Sequence, residues 1–85
     1  MKDITMFMFD ECPHCQLADK FIRELQQEEQ YKDLVINRIN EKKQPEVADQ
    51  YDYWYVPTFY VDGEKVHEGH AEKEDVRKVF DKATA

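Results

Sequence analysis

Cys12-Pro13-His14-Cys15 stands between an apolar run, Ile4 to Phe9, and an amphipathic segment reaching from Leu17 to about Gln30. These are the only cysteines among 85 residues. Two thiols this close in sequence can close a small strained disulfide, share a metal ion, or exchange electrons with another disulfide. The flanks decide how they are held. Ile4 to Phe9 is rich in β-branched and aromatic residues and almost continuously apolar, which suits a strand buried on both faces in the middle of a sheet. Pro13 suits the first turn of a helix, where its missing N–H costs nothing. Leu17, Phe21 and Leu25 then recur every four residues with Ala18 and Ile22 beside them, which makes one apolar helical face. Asp19, Lys20, Arg23, Glu24 and the run Gln26 to Gln30 form the solvated opposite side.

The rest of the chain divides at its prolines and glycines. Leu34 to Asn40 reads as a second strand, more polar than the first, as an edge strand would be. Glu41 to Gln44 is a charged loop. Pro45 opens a short helix with Val47, Ala48 and Tyr51 inward, which Asp52 can end. Tyr53-Trp54-Tyr55-Val56-Pro57 leads into a third strand, Thr58 to Val61. Asp62-Gly63 is a two-residue hairpin signal, and Glu64 to Glu68 returns as a fourth strand that Gly69 breaks. Glu72 to Ala83 is a last helix with Val76, Val79, Phe80 and Ala83 on one face. The order is β-α-β-α-β-β-α in a single α/β domain over residues 1–85. A right-handed parallel unit comes first, and the hairpin adds two antiparallel strands. The sheet is four-stranded and mixed, flanked by helices.

Composition narrows the function. A domain of this size buries roughly two thirds of its unfolded surface, and 41% hydrophobic residues suffice for a packed core. The net charge of −7 opposes binding to phosphate backbones and to anionic membrane surfaces. The longest apolar run is too short to span a bilayer, and Asp10-Glu11 stands where a leader peptide would need small residues. The chain is therefore expected in the cytoplasm, as a monomer, with neither nucleic-acid nor membrane partners. In a reducing compartment a structural disulfide is disfavoured, and a catalytic or metal-binding pair is favoured.

At the start of a helix, unpartnered N–H groups and the positive end of the dipole favour a thiolate on Cys12. Cys15, one turn further in, would lie beneath it. Cys12 would attack a substrate disulfide, and Cys15 would resolve the mixed disulfide. His14 can give the Cys12 thiolate a hydrogen bond or a charge, which stabilises the reduced pair. Asp10 and Glu11 push the other way. A structural zinc site needs four ligands. Beyond the thiols only His14, His67 and His70 remain, two of them near a strand end, so no metal site is expected. A structural disulfide would close a loop too short to gain much.

These features together resemble the thioredoxin superfamily: a buried strand, Cys-Pro-x-Cys opening a helix, the element order, and Val56-Pro57-Thr58-Phe59 before the hairpin. The length and the Cys-Pro start are most similar to a glutaredoxin or a small thioredoxin-like protein. The resemblance implies a protein thiol–disulfide oxidoreductase with Cys12 and Cys15 as its redox-active pair, Pro13 and His14 between them. It implies a cis bond before Pro57, with Val56 turned toward Cys12 to pair with an extended substrate strand. Tyr55, and with less reason Trp54, could line the substrate groove; the other reading has them covering the sheet edge and the second helix. Tyr53 is expected in the core and His67 on the solvent side. Disulfide-containing proteins would be the substrates. No bound cofactor is needed, and electrons would come from a reductase or from glutathione. Three positions depart from the pattern. Pro-His is the dipeptide of DsbA-type periplasmic oxidases. Met6 stands where thioredoxins carry a buried Asp. The turn Gly69-His70-Ala71-Glu72 replaces the Gly-Gly of glutaredoxins, and its acidic neighbours would repel glutathione. A glutathione-dependent glutaredoxin and a redox-sensing binding module remain the alternatives.

Overall fold

β1 (Ile4–Met8) is the centre of the structure, a computed structural model describing residues 1–85. It lies between β2 (Ile36–Asn40), to which it runs parallel, and β3 (Thr58–Val61), to which it runs antiparallel; β4 (Glu64–Glu68) pairs antiparallel with β3. The sheet order is β2-β1-β3-β4. Alternation along the strands separates two cores. Ile4 and Met6 of β1 and Phe59 and Val61 of β3 face α1 (Pro13–Leu25) and α3 (Lys73–Thr84). Phe7 and Tyr60 face the other way, toward the short α2 (Pro45–Ala48). A strand buried on both faces must be apolar at both parities, which is why Ile4 to Met8 reads as continuous.

The connections follow from local chemistry. Asp62 and Gly63 both adopt positive φ, 48° and 82°. That is the backbone a two-residue hairpin needs to match the strand twist. Pro13 is the first helical residue of α1, and Pro45 opens α2. The crossover β1-α1-β2 and the hairpin β3-β4 form as expected from the sequence.

Several boundaries differ. β1 ends at Met8 rather than Phe9, and β2 starts at Ile36 rather than Leu34. α1 stops at Leu25, short of Gln30, because residues beyond it serve the core instead of a solvated face. Tyr31 and Leu34 are buried there, Tyr31 edge-on to Phe80 with ring centroids 5.3 Å apart. Glu28 is held by both amino groups of Arg77 at 2.9 and 3.1 Å. The buried stripe of α1 is Cys15, Ala18, Ile22 and Leu25, with Leu17 and Phe21 half-buried at its margin. The second helix likewise ends at Ala48, although Tyr51 still reaches the sheet and packs on Phe7 at 4.7 Å.

Candidate active site

The end of β1 delivers the chain to Cys12, which is the N-cap of α1. Its backbone N–H donates to Phe9 O at 3.2 Å, closing the turn between strand and helix. Its Sγ accepts from the Cys15 N–H at 3.2 Å. A sulfur thus takes the place of the usual capping oxygen and meets one of the unpartnered N–H groups of the first turn. Both cysteines are free thiols. Cys15 is buried as expected at 3% exposure, but Cys12 is equally covered at 4%. The apolar cluster that holds both thiols also contains Ala71 and is packed by half-buried Val56.

Burial pushes the Cys15 thiol well above the ordinary range. The hydrogen bond with Cys12 adds to this, and the charge of Glu41 contributes a little. Glu41 in turn accepts from the Tyr53 hydroxyl at 2.8 Å. Burial, reinforced by that carboxylate, also raises Tyr53. On its other side Cys15 borders a cleft of about 550 Å³ between α1 and the β1–β2 edge, shared with Met6, Met8, Asp19 and Arg38. Met6 is buried in the core, so no β1 carboxylate stands beneath the thiol.

His14 differs from its expected placement. Its ring turns to the loop after β4, where Nδ1 lies 2.9 Å from Nδ1 of His70. The two acidic residues before the motif are drawn outward: Asp10 to Lys43 at 3.3 Å and Glu11 to Lys42 at 3.6 Å. His67 is half-buried, with Nε2 2.9 Å from the His70 carbonyl, rather than free in solvent. No three His, Cys, Asp or Glu side chains converge as a metal site.

The Val56–Pro57 bond is cis, and Pro57 is fully buried. The Pro57 carbonyl accepts from Gly69 N at 2.8 Å. Glu68 takes the N–H groups of both Trp54 and Tyr55, the latter at 3.1 Å, and Lys65 at 2.8 Å. The Lys65 hydrogen bond first, then the Trp54 N–H, hold the Glu68 carboxyl down at about 2. Glu68 is therefore a clasp on this loop. With the backbone anchored, the Trp54 and Tyr55 rings stand 85% and 70% exposed. Trp54 does not cover the sheet edge or α2; Tyr53 does the packing instead, stacked on Phe7 at 4.8 Å. The N–H and C=O of Val56 make no hydrogen bond within the chain.

A family described as a thioredoxin domain matches residues 2–81. The chain belongs to the thioredoxin-domain family. Solved thioredoxins share its fold at low identity. The oxidised thioredoxin of Plasmodium falciparum is 22% identical with a TM-score of 0.74, over 99% of this chain and 82% of that one. The Malassezia sympodialis thioredoxin is 14% identical with a TM-score of 0.78, over 99% and 76%. A mutant thioredoxin from Halobacterium salinarum is 23% identical with a TM-score of 0.73, over 99% and 75%. No curated protein sequence matches the chain. For this thioredoxin domain the family-level chemistry is thiol–disulfide exchange. No helix in it is long and apolar enough to cross a membrane.

Sequence reasoning missed His70 as the partner of His14 and Glu68 as the clasp. Both pairings span loops. The only sequence signal was the clustering of His67, Glu68, His70 and Glu72 across the end of the last strand and the turn that follows it.

Proposed function

We propose that this thioredoxin domain reduces disulfides in extended protein segments through Cys12 and Cys15. The observation that carries this is Val56. Its backbone N–H and C=O are unpartnered, on a loop clamped to β4 and packed against the cluster that holds the two thiols. A substrate strand adding there gains main-chain hydrogen bonds, with the open Tyr55 and Trp54 rings as flanking contact area. The Cys12 thiolate attacks one substrate sulfur, the substrate S–S bond breaks, and its leaving thiolate takes up a proton. Cys15 loses its proton and attacks Cys12 Sγ, releasing the second substrate thiol. Two electrons and two protons pass to substrate, and the Cys12–Cys15 disulfide remains. No cofactor is bound in this cycle.

A protein reductase suits the return of electrons better than glutathione. Glu72, Glu74 and Asp75 crowd the turn after Gly69, and they would repel the carboxylates of glutathione. The domain acts as a monomer in a reducing, cytoplasmic setting in this reading. The test is reduction of a protein disulfide with a thioredoxin reductase or with glutathione and its reductase as donor. Activity with the first donor is expected, lost in C12S. A C15S variant is expected to accumulate mixed disulfides through Cys12. Full activity in C12S, or a C15S variant that traps nothing, overturns the reading.

A further inference from the structure

Three side chains form a hydrogen-bonded chain from the loop after β4 to the residue between the two thiols. The Glu72 carboxylate pairs with Nε2 of His70. Nδ1 of His70 faces Nδ1 of His14 at 2.9 Å, with the rings edge-on at 84°. The tautomers follow from the partners. A carboxylate only accepts, so a neutral His70 carries its proton on Nε2 and offers a bare lone pair at Nδ1. His14 must then donate from Nδ1. That proton faces His70, and the remaining nitrogen of a neutral His14, Nε2, is an acceptor. Meanwhile Cys12 Sγ takes its hydrogen bond from the Cys15 N–H. The other charged groups near this end of α1 are already committed: Asp10 and Glu11 to lysines, and His67 to the His70 carbonyl.

We propose that His70, set in its tautomer by Glu72, is a positioning residue that withholds His14 from the Cys12 thiolate and keeps the dithiol reducing. A His14 freed from this bond can turn its N–H to Cys12. Such a bond stabilises the thiolate of the reduced pair and has no counterpart in the neutral disulfide. The equilibrium then moves toward the dithiol, and the pair becomes the stronger oxidant. The proposal rests on the oxidoreductase reading above, because it concerns the poise of the same two sulfurs. It needs no change in the fold, since His14 and His70 are both exposed.

The test is the equilibrium with a glutathione buffer, used as a chemical probe. The Cys12–Cys15 disulfide forms as that of glutathione disulfide breaks, and two glutathione thiols take the two electrons and two protons. H70A is expected to shift the constant about tenfold toward the reduced domain, which for this two-electron couple is about 30 mV. H70N keeps an acceptor oxygen for His14 Nδ1 and is expected to stay near the parent value. In an H14A background, H70A is expected to do nothing. An unchanged constant in H70A overturns the positioning role, as does an equal shift with and without His14, or an H70N that behaves like H70A. In each of these cases the parent still exchanges, so the oxidoreductase reading survives. A parent chain whose thiols exchange with neither glutathione disulfide nor a protein disulfide overturns both.

Discussion

At the residue scale the asymmetry of the site lies in Cys15. Burial is the largest cause of its raised thiol, and burial persists when Cys12 is tied up in a mixed disulfide; the contributions of Cys12 itself do not. Resolution therefore draws on a small thiolate fraction. Below the raised value that fraction grows about tenfold per pH unit, because each unit removes a tenfold excess of protons. A mixed disulfide between Cys12 and a chromogenic thiol, formed in acid and jumped to higher pH, reads this step directly. The release rate is expected to climb through neutral pH and past the ordinary cysteine range near about 8.5 without levelling. A plateau at or below neutral pH would mean that a neighbouring base holds the proton. The placement of Cys12, Pro13 and Cys15 at the start of α1 was legible because capping and helix entry are local chemistry. His14 was legible as a candidate but not in its partner, which lies 56 positions away.

At the scale of elements, Glu68 ties two backbone N–H groups of the loop before β3 to β4. Glu68 has a folded value of about 2 against 4.5 for the free side chain. A depressed carboxylate stabilises the fold fully above the higher value and loses that contribution as pH falls from about 4.5 toward about 2. Thermal melts across this window are expected to show E68Q losing less stability on acidification than the parent; equal losses would mean that the clasp carries no charge-dependent stability. α3 makes a second, independent case. Phe80 is fully buried against Tyr31, so Phe80→Ala is expected to cost about 3–5 kcal/mol in denaturant melts, and a cost under about 1 kcal/mol would mean that the site collapses freely. The strands and the long helices were legible in the sequence because periods of 2 and 3.6 are properties of neighbours. The end of α1 was not. Nothing local says that Tyr31 must reach Phe80 or that Glu28 must meet Arg77, and those distant contacts end the helix five residues early. Trp54 misled for a similar reason: aromatic residues before a strand read as packing, yet the Glu68 clasp lets the ring stay in solvent.

At the scale of the whole molecule, size and charge set which partners arrive. The longest dimension is 34 Å, and the net charge is −7. At about 0.01 M salt the screening length is about 30 Å, so an approaching protein feels the charge of nearly the entire domain. At about 0.15 M it is about 8 Å, and only groups close to the docking face matter. Asp10 and Glu11 are paired with lysines and Glu74 with Arg77, while Glu72 in the turn into α3 is held by His70. Two peptides with the same disulfide, one flanked by Lys and one by Glu, separate these regimes. The kcat/KM for the Lys-flanked peptide is expected to fall several-fold as salt rises across this range. That for the Glu-flanked peptide is expected to rise, with kcat unchanged for both, because steering acts on encounter and not on sulfur exchange. A preference that ignores salt would instead place selection in the Tyr55 and Val56 contacts, where charge plays no part.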